Sequence, residues 1–388
     1  MGEWWEVLRS NFPLCERRAY LFAGAQAPLA RVVRRAMEGF LDLWEERVWR
    51  VELTEWRQFE DAARLVGEIL GCDPHRVIAT EGTSHAMNIA TSMVLARWRA
   101  DGERRANVVL DRESHPASGF AWVNARRLGI PVDLRWPMPE PGQSDVDALA
   151  REVDEETIAV VLTHVSHLTG KRLDVGAFAS RFPDRSFAIL LDAAQSAGAI
   201  PLTREVDLCD FIGLPAYKWL FGPPGVGFLV ATSKWIEEIG PPFAGWASAA
   251  DVWAMDPRDL KLSQGGTAFR LGIPNFPGMA GACAGLELSR RAEQERIGDR
   301  IRLLTDQLLQ GIFAAGYSTP TPLGWDDRAG VVCINVMDVQ RVVESLLEVG
   351  IEVGFEADRL RVDPHAYNTE EEITRLIERL PAVAVPRR

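Results

Sequence analysis

Phe187-Ala188-Ile189-Leu190-Leu191-Asp192-Ala193-Ala194-Gln195 decides how the chain is read. An apolar run without alternation describes a parallel strand covered on both faces, and this one ends in a carboxylate. An Asp at the carboxyl end of such a strand stands where open α/β sheets bind ligands, although helix capping is the commoner work for an Asp in that place. Thr157-Ile-Ala-Val-Val-Leu-Thr163 repeats the pattern upstream. Further out, residues 55–70 carry Phe59, Ala62, Ala63, Val66, Ile69 and Leu70 at helical spacing, and Gly71 ends that helix. A strand at 76–80, a helix at 83–98, a strand at 107–110 and a helix at 117–128 follow. This alternation predicts an α/β sheet. From Arg290 the chain turns polar and helical, with a strand at 331–336 and helices at 339–349 and 369–380, which predicts a small α+β C-terminal domain. The expected division is a large domain at 23–282 and a small one made of 1–22 and 283–388.

The composition limits the partners. With 388 residues, 47% hydrophobic and 25% charged, the chain fits a soluble globular enzyme of two domains. A net charge of −12 argues against nucleic acid, whose binding needs clustered Lys and Arg in excess. No apolar run is long enough to span a bilayer, and Met1-Gly2-Glu3 opens no leader pattern, so the expectation is a cytoplasmic protein without membrane partners. Cysteines 15, 72, 209, 283 and 333 are odd in number and form no Cys-x-x-Cys pair, as expected of reduced, buried thiols.

Twenty-six positions after Asp192 stands Lys218, in Pro215-Ala216-Tyr217-Lys218-Trp219, followed by Gly222-Pro-Pro-Gly-Val-Gly227. Only four of the 43 basic residues are lysines (171, 218, 234 and 261), so chemistry that needs a primary amine has few candidates. Lys218 is flanked by Tyr217, Trp219, Leu220 and Phe221, an apolar setting that lowers an amine's pKa and suits it to a Schiff base; the plain alternative is a snorkelling surface lysine. Pyridoxal phosphate (PLP) enzymes need such an amine, and a carboxylate that keeps the pyridine nitrogen protonated, work that Asp192 can do. They also need a phosphate cradle. Thr80-Glu81-Gly82-Thr83-Ser84, between a strand and a helix, offers a glycine, free N–H groups and hydroxyls, although the same residues make an ordinary helix start. His164-x-x-His167 has metal-like spacing but lacks a third ligand, and no metal is expected.

Seven segments in order, Glu81-Gly-Thr-Ser-His-Ala-Met-Asn88, Glu113-Ser-His-Pro-Ala117, His164-Val-Ser-His-Leu-Thr-Gly170, Asp192-Ala-Ala-Gln-Ser-Ala-Gly198, Tyr217-Lys-Trp219, Gly272-Ile-Pro-Asn275 and Arg361-Val-Asp-Pro-His-Ala-Tyr-Asn-Thr369, resemble the class V aminotransferase family of PLP enzymes. This is the branch that holds cysteine desulfurases, isopenicillin N epimerase and kynureninase. The resemblance implies PLP fold type I: a mainly parallel seven-stranded sheet with a smaller α+β domain, assembled as a homodimer with its active sites at the interface. It implies Lys218 as Schiff-base lysine, Asp192 on the pyridine nitrogen, His115 stacked on the ring, Gln195 near the phenolic oxygen, and Gly82 and Thr83 at the phosphate. It also implies Arg361 at the substrate carboxylate and His167 beside cofactor and substrate. Trp246, in an aromatic-rich stretch at 243–253, belongs to the core, the dimer interface or the substrate pocket, and the stretch at 44–56 to the core or interface.

Three departures from the family pattern narrow the function. Tyr217 precedes the lysine where desulfurases usually carry histidine, as in kynureninases, where that Tyr reaches the phosphate. Ile273 replaces the Thr that usually reaches the neighbouring subunit's phosphate, with Thr267 as a guess for the substitute. The loop that should hold a desulfurase's nucleophilic cysteine is short, and residues 347–360 contain no Cys. The expected enzyme acts on a small L-α-amino acid through an external aldimine and Cα deprotonation by Lys218, giving transamination or β-elimination of a C–S lyase or kynureninase-like kind. The alternatives are desulfurase-type sulfur transfer without the usual cysteine, and a PLP-fold regulator without catalysis.

Overall fold

The computed structural model describes residues 3–51 and 55–387. Residues 1–2 of the expected segment 1–22, residues 52–54 of the aromatic stretch 44–56, and Arg388 lie outside the described residues. Among the described residues twelve strands run in chain order: β1 (Ala19–Tyr20), β2 (Val77–Thr80), β3 (Ala106–Leu110), β4 (Val132–Arg135), β5 (Thr157–Thr163), β6 (Ala188–Asp192), β7 (Phe211–Pro215), β8 (Gly227–Ala231), β9 (Val332–Asn335), β10 (Ile351–Glu352), β11 (Gly354–Glu356) and β12 (Arg359–Val362).

The large sheet has seven strands in the order β2-β8-β7-β6-β5-β3-β4. Only β8 runs against its neighbours; the other pairings are parallel. Its central strands are covered on both faces, which is why they read as unbroken apolar runs. Val160, Leu162, Ile189 and Leu191 enter one core with the helices Arg57–Leu70 and Phe276–Ala292. The intervening Ala159, Val161, Ala188 and Leu190 enter a second core with the helices Thr83–Ala100 and Pro116–Arg127. Alternate side chains on a strand point to opposite faces, so one strand feeds both layers.

A third core lies beyond this sheet. It is built from the antiparallel strands β11-β12-β9, the parallel pair β1-β10, and the helices Gln294–Ala314, Val339–Glu348 and Glu370–Val383. Ala19 and Leu21 pack there, so the N-terminal segment and the C-terminal third share one core. The helix Phe276–Ala292 runs through position 282 and packs against Arg31–Arg47 and Arg57–Leu70. Among the described residues no helix is long and apolar enough to cross a membrane.

The arrangement brings five loops to one end of the large sheet. Strands β2, β3, β5, β6 and β7 point the same way, so the residues that follow each of them emerge on one edge. Register aligns Thr163 with Asp192, and Asp192 with Gly213.

Candidate active site

A cavity of about 290 Å³ opens at that edge, lined among others by Gly82, Thr83, His115, His167, Asp192, Gln195, Tyr217 and Lys218. Glu81 and Ser84 of the expected phosphate cradle line it too, as do His85, Thr163 and Val165, to which no role was assigned from the sequence.

Gly82, two residues past the end of β2, caps the helix Thr83–Ala100. Its φ of +150° is unfavourable for a side chain, and a Cβ there would meet open space. Opposite, a Cβ on Gly227 would lie 2.5 Å from the Gly82 Cα, so β8 needs a glycine to pass this turn. The first-turn N–H groups of the 18-residue helix lack intrahelical acceptors, and Thr83, Ser84 and His85 of that turn line the cavity.

Asp192 is the last residue of β6 and is buried. Its Oδ1 accepts from the Ala194 N–H at 2.9 Å, and its Oδ2 from the Ser118 hydroxyl at 2.5 Å. It caps no helix. Ser118 was not singled out from the sequence; it lies three positions after His115, on one helix face, and that spacing was the available signal. His115 caps the helix Pro116–Arg127, with Nδ1 accepting from the Ala117 N–H at 3.1 Å. Its ring stands edge-on to that of His167, with centroids 5.0 Å apart. Burial lowers the pKa of both imidazoles, that of His167 to about 3, so neutral rings face the cavity.

Lys218 follows β7 in a bend of the chain, half-buried at the cavity wall. Burial, and secondarily the Arg361 charge, pull its amine down to about 8. Gln195 lines the cavity, but its amide already donates to the Gly24 carbonyl at 3.0 Å and accepts from Trp219 Nε1 at 3.0 Å. Tyr217 is partly buried and lines the cavity, with its phenol pKa raised by burial. Arg361, on β12, stands behind this lining, 3% exposed and close enough to lower the pKa of Lys218 and His167. Its Nη2 is buried without a partner.

Other named residues lie elsewhere. Trp246 is outside the cavity lining and packs edge-on against Trp56, centroids 6.2 Å apart. Thr267 sits in the short helix Gly265–Phe269, beside β2. His164 turns away from His167: Nδ1 meets the Ser196 hydroxyl at 2.9 Å and Nε2 accepts from Arg172 Nε at 3.2 Å, both within the core. Among the described residues no group of three or more His, Cys, Asp or Glu side chains is arranged to hold a metal.

Residues 19–376 match the model of the class V aminotransferases. The chain belongs to the class V aminotransferase family. It is 25% identical over 408 residues to a probable cysteine desulfurase of Methanothermobacter thermautotrophicus, covering 98% of each chain. Its fold is similar to that of the apo cysteine desulfurase of Thermococcus onnurineus NA1, with a TM-score of 0.86 at 21% identity over 97% of each chain. It is also similar to the cystine C–S lyase C-DES, solved with its reaction product cysteine persulfide, with a TM-score of 0.83 at 23% identity over 96% of this chain and 100% of that one.

This class V aminotransferase is therefore a PLP-dependent enzyme, and its cavity fits the cofactor. A helix N-terminus behind a glycine with no side chain in the way suits a phosphate. The buried Asp192 carboxylate in the lining suits a protonated ring nitrogen, and the Lys218 amine, pulled down to about 8, suits an aldehyde.

Proposed function

We propose that this enzyme catalyses β-elimination on a small L-α-amino acid carrying a leaving group such as sulfur on Cβ, and releases the leaving group rather than transferring it to one of its own thiols. Bound PLP supplies a covalent hold on the substrate amino group and an electron sink that acidifies Cα. Gly82 and Thr83 would hold its phosphate, Asp192 its ring nitrogen, and His115 the face of its ring, with Tyr217 and Gln195 at its edges. The protein's own work is then proton transfer and orientation. The Lys218 amine takes the Cα proton, and a base with a pKa of about 8 is matched to that task near neutral pH. Arg361 takes the α-carboxylate through its unpaired Nη2, and His167 faces the substrate as a neutral ring. With water the balance is one 2-oxo acid, one ammonia and one protonated leaving group per substrate.

The observation that carries release rather than transfer is the state of the thiols. None of the five cysteines lines the cavity, and burial raises the pKa of each, to about 12 for Cys15, Cys283 and Cys333. A thiolate is the form that accepts sulfur, and burial disfavours it at all five positions. The test is product analysis with L-cysteine, L-cystine and S-alkylcysteines. Equal amounts of 2-oxo acid and ammonia support β-elimination; alanine with sulfur bound to the protein would mean desulfuration; and 2-oxo-acid-dependent exchange of amino groups would mean transamination.

The same reading includes a homodimer in the cytoplasm. Phe243, Trp246, Trp253, Met255, Leu271 and Ile273 are exposed along one stretch of chain, an apolar surface suited to a second copy, and the five cysteines are free thiols.

A further inference from the structure

Arg361 is held from one side only. Its Nε lies 2.9 and 3.2 Å from the two carboxylate oxygens of Asp363. Its Nη1 is 3.7 Å from Glu356 Oε2, beyond hydrogen-bonding distance, and its Nη2 is buried with no partner. The guanidinium carbon rests 5.5 Å from the centroid of the Phe22 ring.

A guanidinium offers a carboxylate two forked edges, the side edge Nε/Nη2 and the end edge Nη1/Nη2. Asp363 engages Nε, so the side fork is no longer whole. What remains complete is the end edge, where one nitrogen is unclaimed and the other has only a distant, half-exposed carboxylate.

Asp363 is itself immobilised. Its N–H donates to the Leu21 carbonyl at 2.7 Å and its carbonyl accepts from the Ala23 N–H at 3.0 Å, which ties β12 to the N-terminal segment. Gly24 completes the arrangement: a Cβ there would lie 2.3 Å from Arg361 Nη2, 2.3 Å from Asp363 Oδ2 and 2.8 Å from Gln195 Oε1. The segment passes the ion pair with no room for a side chain. Burying a charged pair costs more than burying apolar groups of the same size, so packing alone does not account for a fully buried carboxylate at this position.

We propose that Asp363 is a positioning residue: by engaging Nε it turns the Nη1/Nη2 end of Arg361 toward the substrate α-carboxylate, with Gly24 as the close-fitting wall behind the pair. This rests on the reading of Arg361 as the carboxylate site.

The experiment compares L-alanine with ethylamine, the same molecule without its carboxylate, as ligands of the PLP-loaded protein, with affinities read from the cofactor's absorbance and cofactor content measured for each variant. Asp363→Ser is expected to weaken L-alanine by about tenfold or more and ethylamine by no more than about twofold. Asp363→Asn keeps an acceptor for Nε and is expected to recover most of that loss. Equal weakening of both ligands by Asp363→Ser, no weakening, or the same loss in Asp363→Asn would each overturn the proposal. If Asp363→Ser does not retain PLP, Gly24→Ala decides. Displacing the pair by a methyl group should again cost L-alanine selectively, and an equal or absent effect overturns the proposal. Arg361→Lys separates the two levels: equal weakening of both ligands removes the carboxylate reading and this proposal with it, whereas a selective loss there beside an unchanged Asp363→Ser removes the proposal alone.

Discussion

Ser118 donates its hydroxyl to Asp192 Oδ2 from the helix Pro116–Arg127, while the Ala194 N–H donates to Oδ1 from the turn after β6. Ser118 is fully buried and Asp192 is 4% exposed, so two donors from separate elements hold the carboxylate in one orientation at the cavity wall.

Asp192→Asn keeps the volume but must direct an amide N–H₂ toward one of these two donors, and it carries no charge for a ring nitrogen. Turnover is expected to fall by roughly 100-fold or more, the order of ~3 kcal/mol for a lost charge-assisted hydrogen bond. PLP content and the thermal midpoint should change little. Near-normal turnover would reduce Asp192 to a structural residue.

Lys218→Ala should abolish covalent attachment of the cofactor. Lys171, Lys234 and Lys261 are exposed, and the first and last pair with Asp145 and Asp259. Borohydride reduction of the PLP-loaded protein followed by peptide mapping should therefore label Lys218 alone. A label on any other lysine in the Lys218→Ala variant would move the site.

What the sequence made legible, and what it hid, follows burial. β5 and β6 stand out because both faces are covered, which leaves no polar alternation to blur them. β4, at the sheet edge, carries Asp133 and Arg135 and has one buried residue, so its pattern resembles a loop. The helix Arg31–Arg47 fully buries only Val33 and Phe40, so its core-facing stripe is narrow. β7, just before the Lys218 segment, and β8, just after the Gly/Pro-rich turn at 222–227, are fully buried five-residue runs whose signal is masked by the motif residues between them. In the cavity, Gly82, Asp192 and Lys218 announced themselves because each carries its chemistry in a local motif. Ser118 and Gly24 matter only through contacts across 74 and 171 positions, made when the helix Pro116–Arg127 and the N-terminal segment meet the turn after β6, and Asp363, two positions from Arg361, matters through the ion pair that burial forces on it.

Cys333 and Arg361 are direct cross-strand partners in the β9–β12 ladder, so this thiol is the one nearest in register to the site guanidinium. It is fully buried, and burial pushes it up to about 12. Incubation with L-cysteine followed by mass spectrometry of the intact protein is expected to find no persulfide on Cys333 or on the other four cysteines, and Cys333→Ser should keep the parent product distribution. A stable added sulfur, lost in one Cys→Ser variant, would restore the desulfurase alternative.

The Lys218 amine gives a pH dependence whose direction is set by burial. Folding lowers its pKa from the ordinary 10.5 to about 8, because the apolar surroundings, and then the Arg361 charge, disfavour the ammonium. At pH 7.5 an ordinary lysine is neutral in only ~0.1% of molecules, whereas one at about 8 is neutral in roughly a quarter. The neutral form is the nucleophile toward an aldehyde, so uptake of PLP by the apoprotein should speed up about tenfold per pH unit below 7 and level off above about 8 to 9. Removing the neighbouring charge in Arg361→Gln should shift that midpoint upward. Stability follows with the same sign. Between about 8 and 10.5 the unfolded chain holds a proton that the folded one has released, so the apoprotein's unfolding free energy should rise with pH across that window and gain nothing further from this group below it. An uptake rate that keeps climbing to pH 10 would mean that Lys218 titrates as an ordinary exposed amine, and the buried base on which the proposed elimination depends would be gone.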